Sequence, residues 1–276
     1  MLVKMRAAFF AATVVLAACS GGTAHPVTAH GVTAQPARAA YDPKTLPAGP
    51  VGESIGYGHS IIVNTPSLMK PYVRAQMSCA ACHIAAGTQS RGGSFIGLYG
   101  RFPQWNKRAH RVIALQDRIA ECFLYSMNGT APAYSSKAMI AIVGYIAWLS
   151  RGVPVGAKQP QDDRYIVPLP KVAANVADGA KTYASKCSMC HRANGSGISA
   201  AGFPPLWGAR SFNSGAGMAH ADRMTGFIRY NMPQNAPGSL SVSESYDVAA
   251  FVLSHTRPRF AKSALVVTGA LPAKYF

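Results

Sequence analysis

Acidic side chains are scarce in this sequence of 276 residues, which has 10 Asp and Glu against 27 Lys and Arg and a formal net charge of +17. Such an excess of positive charge indicates that the partners of the protein include anions. The basic residues are scattered, and no long block of Lys and Arg occurs, so nucleic acid is not an expected partner. Charged residues make up only 13% and hydrophobic residues 49%, a balance that excludes a disordered chain or a charged coiled coil.

The sequence also lacks a convincing membrane span at its start. A helix that crosses a bilayer needs about 20 apolar residues, and the apolar run after Lys4 and Arg6 has about 12. A short apolar run behind positive charges is typical of an export signal. We therefore predict that residues 1–18 are a signal peptide.

A cysteine follows this predicted signal peptide. The string Leu16-Ala17-Ala18-Cys19-Ser20 resembles the lipobox of bacterial lipoproteins, in which the cysteine becomes the lipidated first residue of the mature chain. An ordinary signal peptide with an incidental cysteine is the alternative. Residues 19–50 are rich in Gly, Ala, Thr and Pro, which is typical of a flexible tether. The expectation is a periplasmic protein held at a membrane by a lipid on Cys19.

The sequence has six cysteines, which in an exported chain ordinarily suggest disulfides. Two segments have the order C-x-x-C-H instead, namely Cys79-Ala80-Ala81-Cys82-His83 and Cys187-Ser188-Met189-Cys190-His191. This order is the attachment signal of c-type haem, in which two thiols bond to the haem and the histidine is the proximal iron ligand. A zinc site or a redox dithiol would leave both histidines unexplained. We predict two covalently attached haem c groups.

The two motifs divide the chain into two haem domains. Between them lies a segment rich in Pro and Gly that lacks apolar periodicity, which indicates a linker. The predicted fold class is all-α, with two class I cytochrome c-like domains in tandem. The predicted boundaries are an N-terminal domain at 51–153, a linker at 154–172, a C-terminal domain at 173–262 and a tail at 263–276.

The C-terminal half has the helix pattern of a class I cytochrome c domain. A segment compatible with a helix, residues 177–186, leads into Cys187, and a second helix is predicted over residues 219–230. Ser241 and Glu244 form a capping box that predicts the start of a final helix.

The distal ligand of the second haem is predicted from the resemblance to class I cytochromes c. In that family it is a methionine of a Met-Pro loop just before the last helix, and Met232 with Pro233 matches. Thioether ligation opposite histidine raises the haem potential, which suits an electron outlet. The alternatives are Met218, Met224 and His220.

Cys122 is the cysteine left over when Cys19 is assigned to lipid and the other four to haem. It lies in a run with helical character in which Arg118, Cys122 and Ser126 recur every four residues and share one face. An arginine one turn before a thiol stabilises the thiolate, the form that ligates iron or attacks sulfur. The face is suited to a Cys-ligated haem and to an anion site. An inert buried cysteine is the ordinary alternative.

The surroundings of Cys122 carry a specific resemblance. The run from Arg118 to Gly129 follows the first C-x-x-C-H motif and precedes an aromatic-rich helix that ends near Trp148. Together these features closely resemble the dihaem thiosulfate dehydrogenase family, and the resemblance covers residues 52–259.

The resemblance implies a role for each candidate residue. His83 and Cys122 would ligate an N-terminal haem at which catalysis occurs, while Arg118 and Ser126 match substrate-pocket residues of the family. The ligands implied for a C-terminal relay haem are His191 and Met232.

The implied reaction joins two thiosulfate ions into tetrathionate and passes the electrons to a soluble periplasmic partner such as a cytochrome c. Two dianions must meet, so the site needs positive charge, which Arg118 supplies. Further candidates for this charge are Arg91, Lys107 and Arg108. We hypothesise that Cys122 forms a transient sulfur–sulfur bond with the substrate. The same catalyst would also reduce tetrathionate.

Other functions use the same two motifs. A non-enzymatic dihaem electron carrier would have Cys122 buried and Met127 or another group on the first iron. A Cys-ligated cytochrome subunit of a periplasmic sulfur-oxidising complex would depend on an obligate partner. A dihaem peroxidase is a further, weaker alternative.

Overall fold

The computed structural model describes residues 41–158 and 164–260. The predicted signal peptide at 1–18, the predicted lipidation site Cys19, most of the tether and the tail at 263–276 lie outside the described residues. Within the described part of the chain, no helix combines the length and apolar character that a membrane span requires.

The first half of the described chain is built around two packed helices. Its helices are α1 (Pro50–Val63), α2 (Thr65–Leu68), α3 (Ile84–Gly87), α4 (Leu115–Tyr125) and α5 (Lys137–Leu149), with 3-10 turns at Pro43–Thr45, Lys70–Tyr72, Cys79–Ala81 and Tyr99–Arg101. Helix α1 packs against α5, and Ile61 and Tyr145 are fully buried in the core. The Tyr145 hydroxyl donates to the Ala86 carbonyl at 2.9 Å, which ties α5 to the segment that follows the first haem motif.

A small hairpin precedes α4. Strands β1 (Gln104–Asn106) and β2 (Arg111–Ile113) pair antiparallel, with Trp105 opposite Val112. The prediction of an all-α domain did not include this sheet, because strands of three residues are too short to show an alternating pattern.

Helix α4 is fixed at its start by Asp117. This carboxylate accepts hydrogen bonds from the Ala114 amide at 2.8 Å, the Arg111 guanidinium at 2.9 Å and the Tyr134 hydroxyl at 2.5 Å. At the other end the Ser126 amide donates to the Cys122 carbonyl at 2.9 Å, so the helical path continues to Ser126. The helix predicted around Cys122 is thus confirmed.

The second half contains α6 (Val176–Lys186), α7 (Ser188–His191), α8 (Ala221–Asn231) and α9 (Val242–Ser254), with 3-10 turns at Ser199–Ala201 and Gly217–Ala219. Helices α6 and α9 pack against each other. The Ser241 side chain accepts from the Glu244 amide at 3.1 Å, and the Glu244 carboxylate accepts from the Ser241 amide at 2.8 Å. The predicted capping box and the helices of this half are confirmed.

The end of the predicted tether is packed onto the first half. Residues 41–49 fall within the tether predicted at 19–50, yet Tyr41 stacks on His59 with ring centroids 3.7 Å apart and meets Tyr145 edge-on at 5.8 Å. Leu46 also packs against the core. Burial of these side chains offsets the entropy lost on ordering the segment. The average composition of residues 19–50 does not reveal that Tyr41 and Leu46 pack against the core.

The two halves meet through buried amide side chains. Asn231 of α8 accepts from the Gln89 side chain at 2.9 Å and donates to the Arg91 carbonyl at 2.9 Å. Asn213 donates to the Leu124 carbonyl, near the end of α4, at 2.8 Å. Both asparagines are 2% exposed. Because an unpaired buried amide is costly, these bonds favour one relative placement of the two halves.

Candidate functional site

A cavity of about 210 Å³, called here the first cavity, opens beside the first C-x-x-C-H motif. Its wall contains the candidate residues Cys79, Cys82, His83, Arg118, Cys122 and Ser126. The face of α4 that the four-residue spacing predicts therefore lines the same cavity as the attachment motif.

His83 is held as a neutral imidazole. Its Nδ1 lies 2.5 Å from the Gly93 carbonyl oxygen, so Nδ1 carries the proton and Nε2 remains available to a metal. Burial lowers the pKa of His83 to about 4. The hydrogen bond to Gly93 acts to raise this pKa, and the charge of Arg118 acts to lower it further. A Cβ on Gly93 would lie 2.9 Å from Nδ1, and the φ of this residue is +66°. Only glycine at position 93 allows the backbone to come this close to the His83 ring without strain.

Cys79 is positioned by Thr65 at the start of α2. The Thr65 hydroxyl accepts from the Cys79 amide at 3.0 Å and lies 3.3 Å from its Sγ. Burial raises the pKa of Cys79 and of Cys82 to about 12. Both groups are therefore thiols until they are bonded.

Arg118 brings positive charge to Cys122. The charge of a Cys122 thiolate raises the pKa of Arg118, and so does Glu121, against the effect of burial. The guanidinium lies 3.0 Å from the Glu121 carboxylate, which also accepts from the Asn106 amide at 2.9 Å. Glu121 is not among the residues predicted for the site, although its spacing of three residues from Arg118 is a recognisable signal for an ion pair.

Further residues line the first cavity that were not predicted to be there. Arg101, the last residue of the 3-10 turn Tyr99–Arg101, is one of them and donates to the Gly97 carbonyl at 3.2 Å. Tyr165 belongs to the predicted linker at 154–172, and no local pattern points to it. The pKa of Tyr165 is raised chiefly by burial.

The accessory cations proposed from the sequence lie elsewhere. Arg91 stacks on the Tyr230 ring at 4.2 Å, and Arg108 stacks on the Tyr125 ring at 4.3 Å. Lys107 is exposed. In the described structure none of these three residues lines the first cavity. The expectation that they add positive charge beside Arg118 is therefore not met.

A larger cavity of about 450 Å³, the second cavity, adjoins the second motif. The candidate residues in its wall are Cys187, Cys190, His191 and Met232. The His191 Nδ1 lies 3.0 Å from the Pro204 carbonyl oxygen, and burial lowers its pKa. Met218 and Met224 also line this cavity, whereas His220 does not. Geometry alone therefore removes one of the three alternatives to Met232.

The two cavities are neighbours. Cys82 lines both of them. Tyr165 of the first cavity and Phe227 of the second meet edge-on with ring centroids 6.0 Å apart. The walls of the two cavities thus adjoin at Cys82 and at the contact between Tyr165 and Phe227.

The donors in both cavities fit a haem iron. Each cavity has a paired-cysteine motif, a histidine with a free Nε2 and at least one sulfur donor on a different segment, Cys122 in the first and Met232 in the second. A porphyrin supplies the other four ligands. Among the described residues, no group of three or more His, Cys, Asp or Glu side chains is placed to hold a metal ion by protein ligands alone.

Comparisons with known proteins agree with this arrangement. Residues 69–155 match the family described as SoxA/TsdA, cytochrome c domain, and residues 176–256 match the cytochrome c family. Two cytochrome c domains in tandem imply two haem c groups.

Full-length relatives extend the agreement. The chain is 43% identical to the thiosulfate dehydrogenase of Allochromatium vinosum over 223 residues, 78% of this chain and 82% of the relative. It is 38% identical to that of Stutzerimonas stutzeri over 219 residues, 78% of this chain and 71% of the relative. The solved thiosulfate dehydrogenase (TsdBA) of Marichromatium purpuratum matches with a TM-score of 0.76 and 30% identity over 84% of this chain, and the chain spans 53% of that protein's length. Since identity at this level extends over most of the chain and of its curated relatives, this two-domain cytochrome c belongs to the thiosulfate dehydrogenase family.

Proposed function

We propose that the protein oxidises two thiosulfate ions to tetrathionate in the first cavity. The observation that carries the proposal is the presence of Arg118, Cys122 and Ser126 in one cavity wall with Cys82 and His83. A cation, a sulfur nucleophile and a hydroxyl donor thus stand beside a haem attachment motif. The names of the relatives support the same substrate.

Arg118 and Ser126 bind the anion in this proposal. The Arg118 side chain lies in the wall of the first cavity, where its guanidinium can meet an anion bound there. It offers two parallel charge-assisted hydrogen bonds to sulfonate oxygens. The Ser126 hydroxyl, one turn beyond Cys122, donates a further bond. Together they offset the repulsion between two dianions.

Cys122 acts as the nucleophile. Its thiolate sulfur bonds to the sulfane sulfur of the first thiosulfate, which forms a Cys–S–S–SO₃⁻ adduct and releases two electrons. The sulfane sulfur of a second thiosulfate attacks the sulfane sulfur of the adduct, the bond to Cys122 breaks, and tetrathionate leaves with the thiolate restored. The same steps in reverse reduce tetrathionate.

When bound, the two haem c groups supply the one-electron acceptors for these two electrons. The surface beside the second motif offers an exit. Met189, between Cys187 and Cys190, is 77% exposed, and Lys186 borders the second cavity. An apolar contact flanked by positive charge suits an acidic, soluble redox partner such as a cytochrome c.

The cellular setting is part of the proposal. The signal-like segment at 1–18 and the lipobox-like string around Cys19 support export to the periplasm and attachment to a membrane by lipid. Small anions and a soluble partner would reach the folded domains there. Mass spectrometry of the protein purified from a bacterial membrane fraction tests for a lipid on Cys19.

A second candidate function rests on Met127. This side chain also lines the first cavity and is 3% exposed. With Met127 on the first iron, the protein would be an electron carrier without a catalytic thiolate. Electron paramagnetic resonance of the oxidised holoprotein distinguishes the two functions, since thiolate ligation has its own signature.

The decisive experiment is an anaerobic titration of the fully oxidised holoprotein with thiosulfate, followed by haem absorption. Prompt reduction with one tetrathionate formed per two thiosulfate ions is the expected result. Oxidation of the reduced holoprotein by added tetrathionate measures the reverse reaction. If thiosulfate reduces neither haem while tetrathionate oxidises both, the protein acts as a reductase rather than as proposed.

A further inference from the structure

Tyr165 is the one aromatic residue that the linker contributes to the first cavity. It lies in the described segment that resumes at residue 164 and leads to the second domain. Its side chain lines the cavity with Arg118 and Cys122 of α4 and with Ser126, the residue that caps this helix. The wall of the candidate catalytic cavity is therefore completed by a segment outside the first domain.

The linker is fastened to α8 at this point. A Cβ on Gly226 would lie 1.5 Å from the Tyr165 carbonyl oxygen, so the backbone of the linker lies directly against the helix. The Tyr165 ring meets Phe227 edge-on, with the ring planes at 86°. Two residues further on, Val167 is 6% exposed. These contacts hold Tyr165 at one place although the linker has no regular secondary structure.

The hydroxyl of Tyr165 is available as a donor. Within the described residues it makes no hydrogen bond to the protein. It lies near enough to Arg118 and Cys122 for their charges to act on its pKa. The hydroxyl is therefore free to donate to a ligand in the cavity, and the other polar groups that share the wall, on Arg118 and Ser126, are suited to an anion.

We propose that Tyr165 is a substrate-binding residue whose hydroxyl donates a hydrogen bond to the sulfonate oxygens of thiosulfate. The inference rests on the proposed function and deepens it. With Arg118 and Ser126, Tyr165 provides donors for the oxygen-bearing end of the ion. The sulfane sulfur is left to face Cys122, as formation of the sulfur–sulfur bond requires.

The test is thiosulfate binding to the holoprotein with both haems reduced, because no electron acceptor is then present and binding is separated from turnover. Isothermal titration calorimetry compares the wild type with Tyr165→Phe, which keeps the ring and its contact with Phe227. The matched control is Tyr246→Phe on α9, which lines neither cavity. The dissociation constant is expected to rise about tenfold for Tyr165→Phe, since a hydrogen bond to a charged group is lost, and to stay unchanged for the control.

A second variant tests the placement of Tyr165 without removing its hydroxyl. Gly226→Ala puts a methyl group where the Tyr165 carbonyl oxygen lies and should weaken thiosulfate binding. Equal affinity of the wild type and Tyr165→Phe would overturn the inference, and so would a shift of the first haem's potential with unchanged affinity, because Tyr165 would then serve the haem. If the wild type does not oxidise thiosulfate but the difference in affinity persists, the proposed function fails and the role of Tyr165 stands.

Discussion

Arg118 and Glu121 form a salt bridge of 3.0 Å on α4, with Arg118 one turn before Cys122 and Glu121 directly before it. The Glu121 side chain is 14% exposed and that of Arg118 42%, and Asn106 of β1 holds the carboxylate from the other side. The candidate anion-binding cation is thus already paired with an internal carboxylate. An incoming thiosulfate must compete with Glu121 for the guanidinium.

Glu121→Gln should therefore tighten thiosulfate binding. The substitution removes the competing charge and keeps the side-chain shape and its hydrogen-bonding capacity toward Asn106. Partly exposed ion pairs contribute on the order of 0.2–1 kcal/mol, so the KM for thiosulfate should fall about two- to fivefold. Steady-state kinetics with an artificial electron acceptor measures the change.

Asp178→Asn is the matched control for this substitution. Asp178 pairs with Lys181 at 2.9 Å and at the same spacing of three residues, but both side chains are exposed and lie on α6. Its KM should equal that of the wild type. An increase in KM for Glu121→Gln would contradict the idea that Glu121 and thiosulfate compete for the Arg118 guanidinium. It would mean that Glu121 holds Arg118 in its binding position.

Cys122→Met should abolish turnover while both haems remain attached. Attachment depends on the C-x-x-C-H motifs, whereas the proposed sulfur–sulfur bond depends on a thiolate that methionine lacks. We expect a loss of about 100-fold or more in kcat, together with loss of the thiolate signature in electron paramagnetic resonance. Haem content by absorption is the control. Full turnover with haem retained would remove Cys122 from the mechanism.

The parts of the site that sequence could predict are those set by short-range spacing. The turn of α4 places Arg118, Cys122 and Ser126 on one face because side chains four residues apart are neighbours on any helix. The capping box at Ser241 and Glu244 is equally local, and both predictions agree with the structure.

The parts that sequence could not predict depend on contacts between distant segments. Tyr165 lies in a segment rich in Pro and Gly, and only its packing on α8 brings it to the first cavity. Tyr41 lies in a stretch with the composition of a tether and is anchored by the ring of His59. In each case one aromatic side chain packs against a residue distant in sequence, and the hydrophobic periodicity of the sequence does not predict such a contact.

The choice among the three candidate ligands Met218, Met224 and Met232 in the second cavity yields a further prediction. Met232→Leu should remove the thioether ligand, lower the potential of the second haem and abolish the absorption band of methionine-ligated ferric haem. Met218→Leu and Met224→Leu, which alter residues of the same cavity wall, should leave that band in place. Loss of the band in either of these two variants instead would assign the ligand to that residue.

Asp117 should make the stability of the protein depend on pH through α4. Burial alone would raise the pKa of this carboxyl, but hydrogen bonds from Arg111, Tyr134 and the Ala114 amide lower it below its usual value. An unfolded aspartate titrates near pH 4, roughly. Because the pKa is lower in the folded state, this stabilisation is fully present above that pH and is lost as the pH falls through the folded pKa.

Asp117→Asn should therefore destabilise the holoprotein at pH 7 by about 1–3 kcal/mol, since partly buried donors on Arg111 and Tyr134 lose a charged acceptor. The difference in Tm between the variant and the wild type should shrink as the pH falls through the lowered pKa of the folded wild-type carboxyl. Thermal unfolding followed by circular dichroism over a series of acidic pH values measures this, with Asp178→Asn, which removes an exposed pair, as the control. A Tm difference that does not change with pH would mean that Asp117 acts through shape rather than through charge.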